Sequence, residues 1–275
     1  MRTPIQAIAD GFDFTPGVPR RDGSAPRIRR LTLMAGCEGG INLARRLMIQ
    51  ASDEALGQDL LHYCRLKNRL LGFLASLREP LSPLPMLLES EGTLLWNCAH
   101  FAQTDPSPEV RQAFEYLALD HLEHLHRLAE CYEATGGKPE RLIELPPCGG
   151  RPLAEQLLAP QDVLKAPIRP EPLSMAHLRT MRELEIRNHR LHLQAFESLA
   201  DPRFRQDSAQ CINVEEQHVA MLASFWGEGD GLHSLWNLQF ALRALLAFFA
   251  HAEEDPAARR DFQRLLLVEE ELWKA

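Results

Sequence analysis

What most restricts the folding of this chain is a repeated piece of punctuation. Two pairs of long helix-forming segments are each joined by a turn too short for anything but an antiparallel hairpin. The first pair, residues 84–103 and 108–134, is closed by Thr104-Asp105-Pro106-Ser107, a helix stop followed by a capping serine and a first-turn proline. The second pair, 174–199 and 202–226, is closed by Ala200-Asp201-Pro202. Between the pairs lies a proline-dense stretch with Pro139, Pro146, Pro147, Pro152, Pro160, Pro167 and Pro170, where at most a short helix over 153–158 or 161–165 fits. A connection of about 35 residues lets the second hairpin enter from the opposite end, which is the pattern of a four-helix bundle with one crossover. Leu, Ala, Glu and Arg dominate, and no segment alternates apolar with polar residues under β-branched enrichment. The expected fold class is therefore all-α.

The flanks extend this plan. Residues 1–35, with Pro4, Pro16, Pro19, Pro26 and a scatter of arginines, read as an extended N-terminal arm. Helices over 40–50 and 52–77 follow, and helices over 232–253 and 256–274 close the chain. The expected organisation is an arm at 1–35 and a single helical domain at 36–275, with the bundle core at 84–227 and C-terminal helices at 232–274. Trp226, Trp236, Phe240, Phe248 and Phe249 are expected to pack on the bundle or to pair two subunits as a homodimer. The run Val268-Glu269-Glu270-Glu271-Leu272 reads as a solvated face.

Charge and composition exclude several roles. A formal charge of −8 disfavours wrapping a nucleic-acid backbone. The longest apolar stretch, 235–250, is broken by Asn237, Gln239 and Arg243 and is too short and polar to span a bilayer. Six cysteines without a Cys-x-x-Cys pair suggest free thiols in a reducing, cytoplasmic setting. No phosphate loop, Gly-x-Ser-x-Gly or paired Cys/His signal is present.

Eleven histidines require a reason, and helical phase at about 100° per residue supplies one. On the first hairpin, Glu91 lies at the centre of the apolar face made by Leu84, Leu87, Leu94, Leu95, Cys98 and Phe101, while Glu89 and His100 point away. On the next helix His121 is central and His124 flanks it. Glu123 points roughly opposite, so its Glu-x-x-His match with His126 is a decoy. On the third helix Glu185 sits mid-face with His192 two turns on and His189 adjacent, whereas Glu183 points to solvent. On the fourth, Glu215 is central among Cys211, Ile212, Val219 and Leu222, with His218 beside it. The two hairpins also align at one offset, which pairs 91 with 185, 121 with 215 and 124 with 218. Buried carboxylates in such company are costly unless paired or bound to a metal.

This order of Glu, then a two-residue ligand motif, crossover, Glu, then Glu-x-x-His resembles the ferritin-like superfamily of carboxylate-bridged dinuclear metal proteins over residues 84–227. One departure stands out: His121-x-x-His124 occupies the place of the family's second-helix Glu-x-x-His, removing one bridging carboxylate. The resemblance implies two iron or manganese ions. Glu91, His121 and His124 would hold one, and Glu185, Glu215 and His218 the other, with Glu215 as bridge. His189 and His192 would supply supporting hydrogen bonds or an extra ligand. The departure leaves three outcomes open: a histidine-richer pair recruiting His192 or Asp120, a single-metal site, or a degenerate site. The implied activity is an oxidase or oxygenase that uses O2 or peroxide on a small organic molecule. The chain's additions to a compact bundle count against iron storage. Two alternatives stand beside it. One is a non-enzymatic helical scaffold. The other is a haem-oxygenase-like dinuclear oxidase, suggested by Glu185 and His192 seven residues apart, although His251 and Asp255 lack the final histidine of that pattern.

Overall fold

The computed structural model describes residues 24–78, 81–143, 172–225 and 231–274. Among them the chain is helical, without a strand. The helices are α1 (Ser24–Gln50), α2 (Glu54–Ser76), α3 (Pro83–Thr104), α4 (Pro108–Ala134), α5 (Pro172–Ser198), α6 (Pro202–Ser224), α7 (Gly231–Ala252) and α8 (Pro256–Lys274), with a 3₁₀ turn at Pro139–Arg141. No helix is long and apolar enough to cross a membrane among the described residues. Most of the proline-dense connection, including the short helices expected at 153–158 and 161–165, lies outside them, as do Trp226 and most of the expected arm.

Local chemistry sets the helix ends. Ser107 caps α4, its Oγ accepting from the Val110 N–H, and Pro108 takes the first helical position. Asp201 caps α6 ahead of Pro202, and Asp255 Oδ1 accepts from two amides of α8 ahead of Pro256. At the far end of α4, Gly136 adopts φ 83°; its N–H bonds the Glu133 carbonyl and the Gly137 N–H that of Tyr132. That pair of bonds is a Schellman stop, which needs the left-handed conformation glycine tolerates.

Two compact units result, one within Met1–Glu79 and Glu228–Ala275, the other Pro80–Gly227. The second encloses residues 84–227, and the helices from both ends of the chain fall together in the first. The first is built from α1, α2, α7 and α8. Here the arm is corrected: residues 24–35 are the first turns of α1, with Leu31, Leu33, Met34 and even Arg30 buried. Gly36 and Gly40 within this helix are packing positions. A Cβ on Gly36 would run into Leu242, and one on Gly40 into the Tyr63 hydroxyl. The acidic run is also corrected. Glu269 is buried, accepting from Lys67 and from Gln239 Nε2, while the Tyr63 hydroxyl donates to Gln239 Oε1 at 3.2 Å. Burial pushes the neighbouring Cys37 thiol up to about 12. Phe249 is buried within this unit beside Phe262, whereas Trp236, Phe240 and Phe248 are exposed. Five of the cysteines, 37, 64, 98, 131 and 211, are free thiols, four of them buried.

The second unit contains the hairpins α3/α4 and α5/α6. α3 and α5 run antiparallel: Asp105, just past the end of α3, meets Ser174 and His177 on the first turns of α5, and Glu91 meets His192 further along. α4 and α6 are likewise antiparallel, since Asp120 meets His218 and Cys131 meets Asp207. Leu84, Leu87, Leu88, Leu125, Leu128, Ala129, Ile143, Ala195 and Phe204 form the apolar core of one end. Burial of each large side chain there contributes about 1.5–3 kcal/mol. Asp105 pins the other end, its carboxylate accepting from Ser174 Oγ (2.6 Å), the Ser107 N–H (2.9 Å) and His177 Nδ1 (2.7 Å), while the His177 ring stacks on Phe101.

Candidate metal centre

Between these two ends the core turns polar. α3 presents Glu91. α4 presents His121 and His124, α5 presents Glu185, Asn188 and His192, and α6 presents Glu215 and His218. All eight are buried. The i, i+3 pairs on α4 and α6 place two ligand-type side chains on one helical face, and the antiparallel pairings bring the four faces together.

His121 is the centre of the arrangement. Its Nδ1 lies 2.9 Å from Glu91 Oε2 and its Nε2 2.9 Å from Glu185 Oε1. His124 Nδ1 lies 3.6 Å from Glu91 Oε1 and 3.8 Å from Glu215 Oε1, while His218 Nδ1 is 3.3 Å from Glu185 Oε1. Asn188 Nδ2 donates to both Glu91 Oε1 and Glu215 Oε1 at 2.8 Å, and His192 Nε2 reaches Glu91 Oε1 at 3.0 Å. On the outer side, His218 Nε2 meets Asp120 Oδ2 at 3.1 Å, which directs the other ring nitrogen inward.

Electrostatics follow from this packing. Burial alone would raise Glu91, but the histidines around it, His121, His124 and His192, hold it well below the usual carboxylate range. Glu185 is also held low, against its burial, by His121 and His218. Glu215 goes the other way. Burial and then the charge of Glu185 raise it well above its ordinary value. Burial opposes charge on His121, yet Glu185 and Glu91 hold it well above 6.5. His218 is raised in the same way by Glu185 and Asp120.

The residues singled out in the sequence are mostly brought together here: Glu91, His121, His124, Glu185, Glu215 and His218, with His192 alongside. His189 is not. It is half-exposed, with Nε2 3.5 Å from Glu216 Oε1 on the surface of α6. Glu123 points outward as the helical phase requires and pairs with Arg127. Glu89, expected to face away, is buried. α3 contains no Lys or Arg and only two glutamates, so it has no charged face to show to water. Glu183 is only partly exposed, beside Arg182. Sequence reasoning missed Asn188, which shares the face of Glu185 and His192, and the buried His177–Asp105 pair.

The donor set suits a metal. Six buried atoms at this one place make no hydrogen bond among the described residues: His124 Nδ1, Glu185 Oε2, Asn188 Oδ1, His192 Nδ1, Glu215 Oε2 and His218 Nδ1. Each unsatisfied buried polar atom costs about 1–3 kcal/mol, and such a concentration calls for a bound species. Two tetrads have ligand atoms all within 4.8 Å of one another: Glu91, His121, His124 and Glu215, and His121, Glu185, Glu215 and His218. Mixed carboxylate and imidazole ligands suit Fe(II), Mn(II) and Zn(II) more than the hard, all-oxygen cations. Comparisons with protein-family models, curated proteins and solved structures find no match to the chain.

Proposed function

We propose that residues 84–227 form a ferritin-like four-helix bundle whose core holds two iron or manganese ions. On this reading the protein is an oxidase or oxygenase acting on a small organic molecule with O2 or peroxide. The observation that carries the reading is the pair of buried tetrads, drawn from four helices and ringed by unsatisfied ligand atoms. Glu91, His121, His124, Glu185, Glu215 and His218 would hold the ions. Bound there, the metal supplies redox chemistry and positions open to oxygen.

The chain's own residues have definable tasks around that chemistry. Asn188 fixes one oxygen each of Glu91 and Glu215, while Glu91 Oε2 faces His121 and Glu215 Oε2 has no hydrogen-bond partner among the described residues. Asp120 holds the ring of His218 through Nε2. It is also the most exposed carboxylate of the group, 16% against 0% for Glu91, Glu185 and Glu215. Protons therefore pass between solvent and the core by way of Asp120 and His218. Beside them Tyr116 sets its ring edge-on to His218, and burial with the nearby Asp120 charge pushes its phenol up to about 12, so it remains a hydrogen-bond donor. Leu87, Leu94, Phe114, Leu117 and Leu125, all fully buried, keep bulk water out.

A metal-free scaffold is the second reading. One observation favours it: both nitrogens of His121 are already satisfied by carboxylates. Metal analysis separates the two. Protein from iron- and manganese-supplemented cells should carry about two ions per chain. Glu91→Ala and Glu215→Ala should lose them while keeping helicity. Failure to take up Fe(II) under anaerobic conditions would overturn the metal reading in favour of the scaffold.

A further inference from the structure

His121 belongs to both tetrads, and so does Glu215. Two ions that each take all four ligands of their tetrad must share these two residues. Glu215 has two oxygens for that purpose. His121 has two ring nitrogens, and the structure directs them to opposite sides: Nδ1 to Glu91 and Nε2 to Glu185. Each side has its own further histidine. His124 stands beside Glu91 and His218 beside Glu185, their rings nearly perpendicular to that of His121, at 81° and 74°.

The separations agree with this division. Neighbouring ligands on one ion, each bonded at about 2.1 Å and at right angles, lie about 3 Å apart. The two His121–carboxylate contacts, both 2.9 Å, are therefore the length of a coordination edge as well as of a hydrogen bond. An ion bonded to both atoms sits off the N···O line that the proton occupies, so a turn of the carboxylate about its own bond, with the N···O separation kept, would admit it.

We propose that His121 bridges the two metal ions as an imidazolate, Nδ1 serving the ion held with Glu91 and His124, and Nε2 the ion held with Glu185 and His218, with Glu215 shared between them. As the second N–metal bond forms, the remaining N–H proton leaves to solvent. No change of oxidation state is involved. The proposal rests on the core holding metal, and it goes further by assigning the link between the ions to a ring rather than to carboxylates alone.

The test uses the full chain loaded with Zn(II), a diamagnetic probe, after labelling the histidines with ¹⁵N. Nitrogen-detected spectra of the two-ion protein should show one core imidazole with no ring N–H and both nitrogens shifted by metal. The other ligand histidines should each keep one N–H. Loading with Cu(II) gives an independent readout. The first equivalent should show an isolated-ion EPR spectrum and the second should convert it to that of an exchange-coupled pair. The coupling should survive in Glu215→Gln and vanish in His121→Gln. Saturation at one ion, two ions with an N–H on every ligand histidine, or two ions whose Cu(II) signals simply add would each overturn the bridge and leave metal binding intact. Absence of any bound Zn(II) or Cu(II) would overturn both.

Discussion

Asn188 gives the sharpest test of how this core is balanced, because its amide works in two directions at once. Its Nδ2 donates to Glu91 and Glu215, both at 2.8 Å, and its Oδ1 is buried without a hydrogen-bond partner. Asn188→Leu keeps the approximate volume and removes all three groups. The bond to ionised Glu91 contributes about 1.5–3 kcal/mol and the bond to Glu215 about 1 kcal/mol, while loss of the unsatisfied carbonyl returns about 1–3 kcal/mol. The expected net loss in metal-free protein is about 1–2 kcal/mol. Asn188→Asp adds a negative charge. It places a carboxylate against Glu91 and Glu215 with no cation added, and an uncompensated buried charge costs about 3–5 kcal/mol. With divalent ions present the same aspartate becomes a further anionic neighbour for metal, and its deficit should shrink most. Ligand at a hundred times its Kd adds about 2.7 kcal/mol to the folded state, enough to read in a denaturation curve. Guanidinium unfolding followed by circular dichroism, with and without Zn(II), measures this. Because the chain contains two units, the transition to fit is the one that moves on metal addition. The reasoning is refuted if metal-free Asn188→Asp is as stable as Asn188→Leu, or if Zn(II) shifts both variants equally.

Other consequences follow from the same charges. His121 is held above 6.5 and Glu215 above 4.5, so the stability each contributes is complete below those values and is lost as pH rises through the raised ones. Glu91 and Glu185 are held low, so theirs is present above 4.5 and fades as pH falls. Thermal melts of metal-free protein should therefore decline on the alkaline side of 6.5, whereas Zn(II) affinity should climb over the same range as ions displace protons from His121, His218 and Glu215; a melting temperature flat across that range contradicts the scheme. Asp120→Asn removes the carboxylate that orients His218 and should weaken metal binding about 10–100-fold, as calorimetric titration would show, and it should lower the unfolding midpoint of metal-free protein because Asp120 helps to hold His218 protonated. Glu123→Ala, on the outer face of α4, should change stability by no more than about 0.5 kcal/mol and leave metal content intact. Loss of metal in that variant would mean that α4 presents a different face inward.

Much of the architecture was legible because it is written in short-range chemistry. Ser107-Pro108, Asp201-Pro202 and Asp255-Pro256 each place a capping side chain and a first-turn proline where a helix begins, and no distant contact is needed to interpret them. The start of α1 failed for the opposite reason. Gly36 and Gly40 look like breakers until Leu242 and Tyr63, some two hundred and some twenty residues away in sequence, are seen to lie against them. Glu269 failed in the same way. A run of three glutamates reads as solvated unless a lysine from another helix is known to reach it, and Lys67 does.

Within the core, helical phase gives direction but not partner. On α5 the line from Glu185 to His192 is flanked by Asn188 and His189, each displaced by about 50° at 100° per residue. Phase alone therefore cannot choose between them, and residue chemistry favours the histidine. Neighbouring helices decide otherwise: α3 brings Glu91 to the side of Asn188, and α6 brings its outer residue Glu216 to the side of His189. The same limit explains His121. Its position at the centre of the α4 face follows from spacing, but the opposed pull on its two nitrogens does not. That requires α3 and α5 to run antiparallel, so that Glu91 and Glu185 stand on either side of one ring. A glutamate at position 121 would offer two oxygens from one carbon, whereas the imidazole offers two nitrogens separated by the ring. On the proposed bridge, a ring in place of a carboxylate would lengthen the distance over which the two halves of the centre are linked.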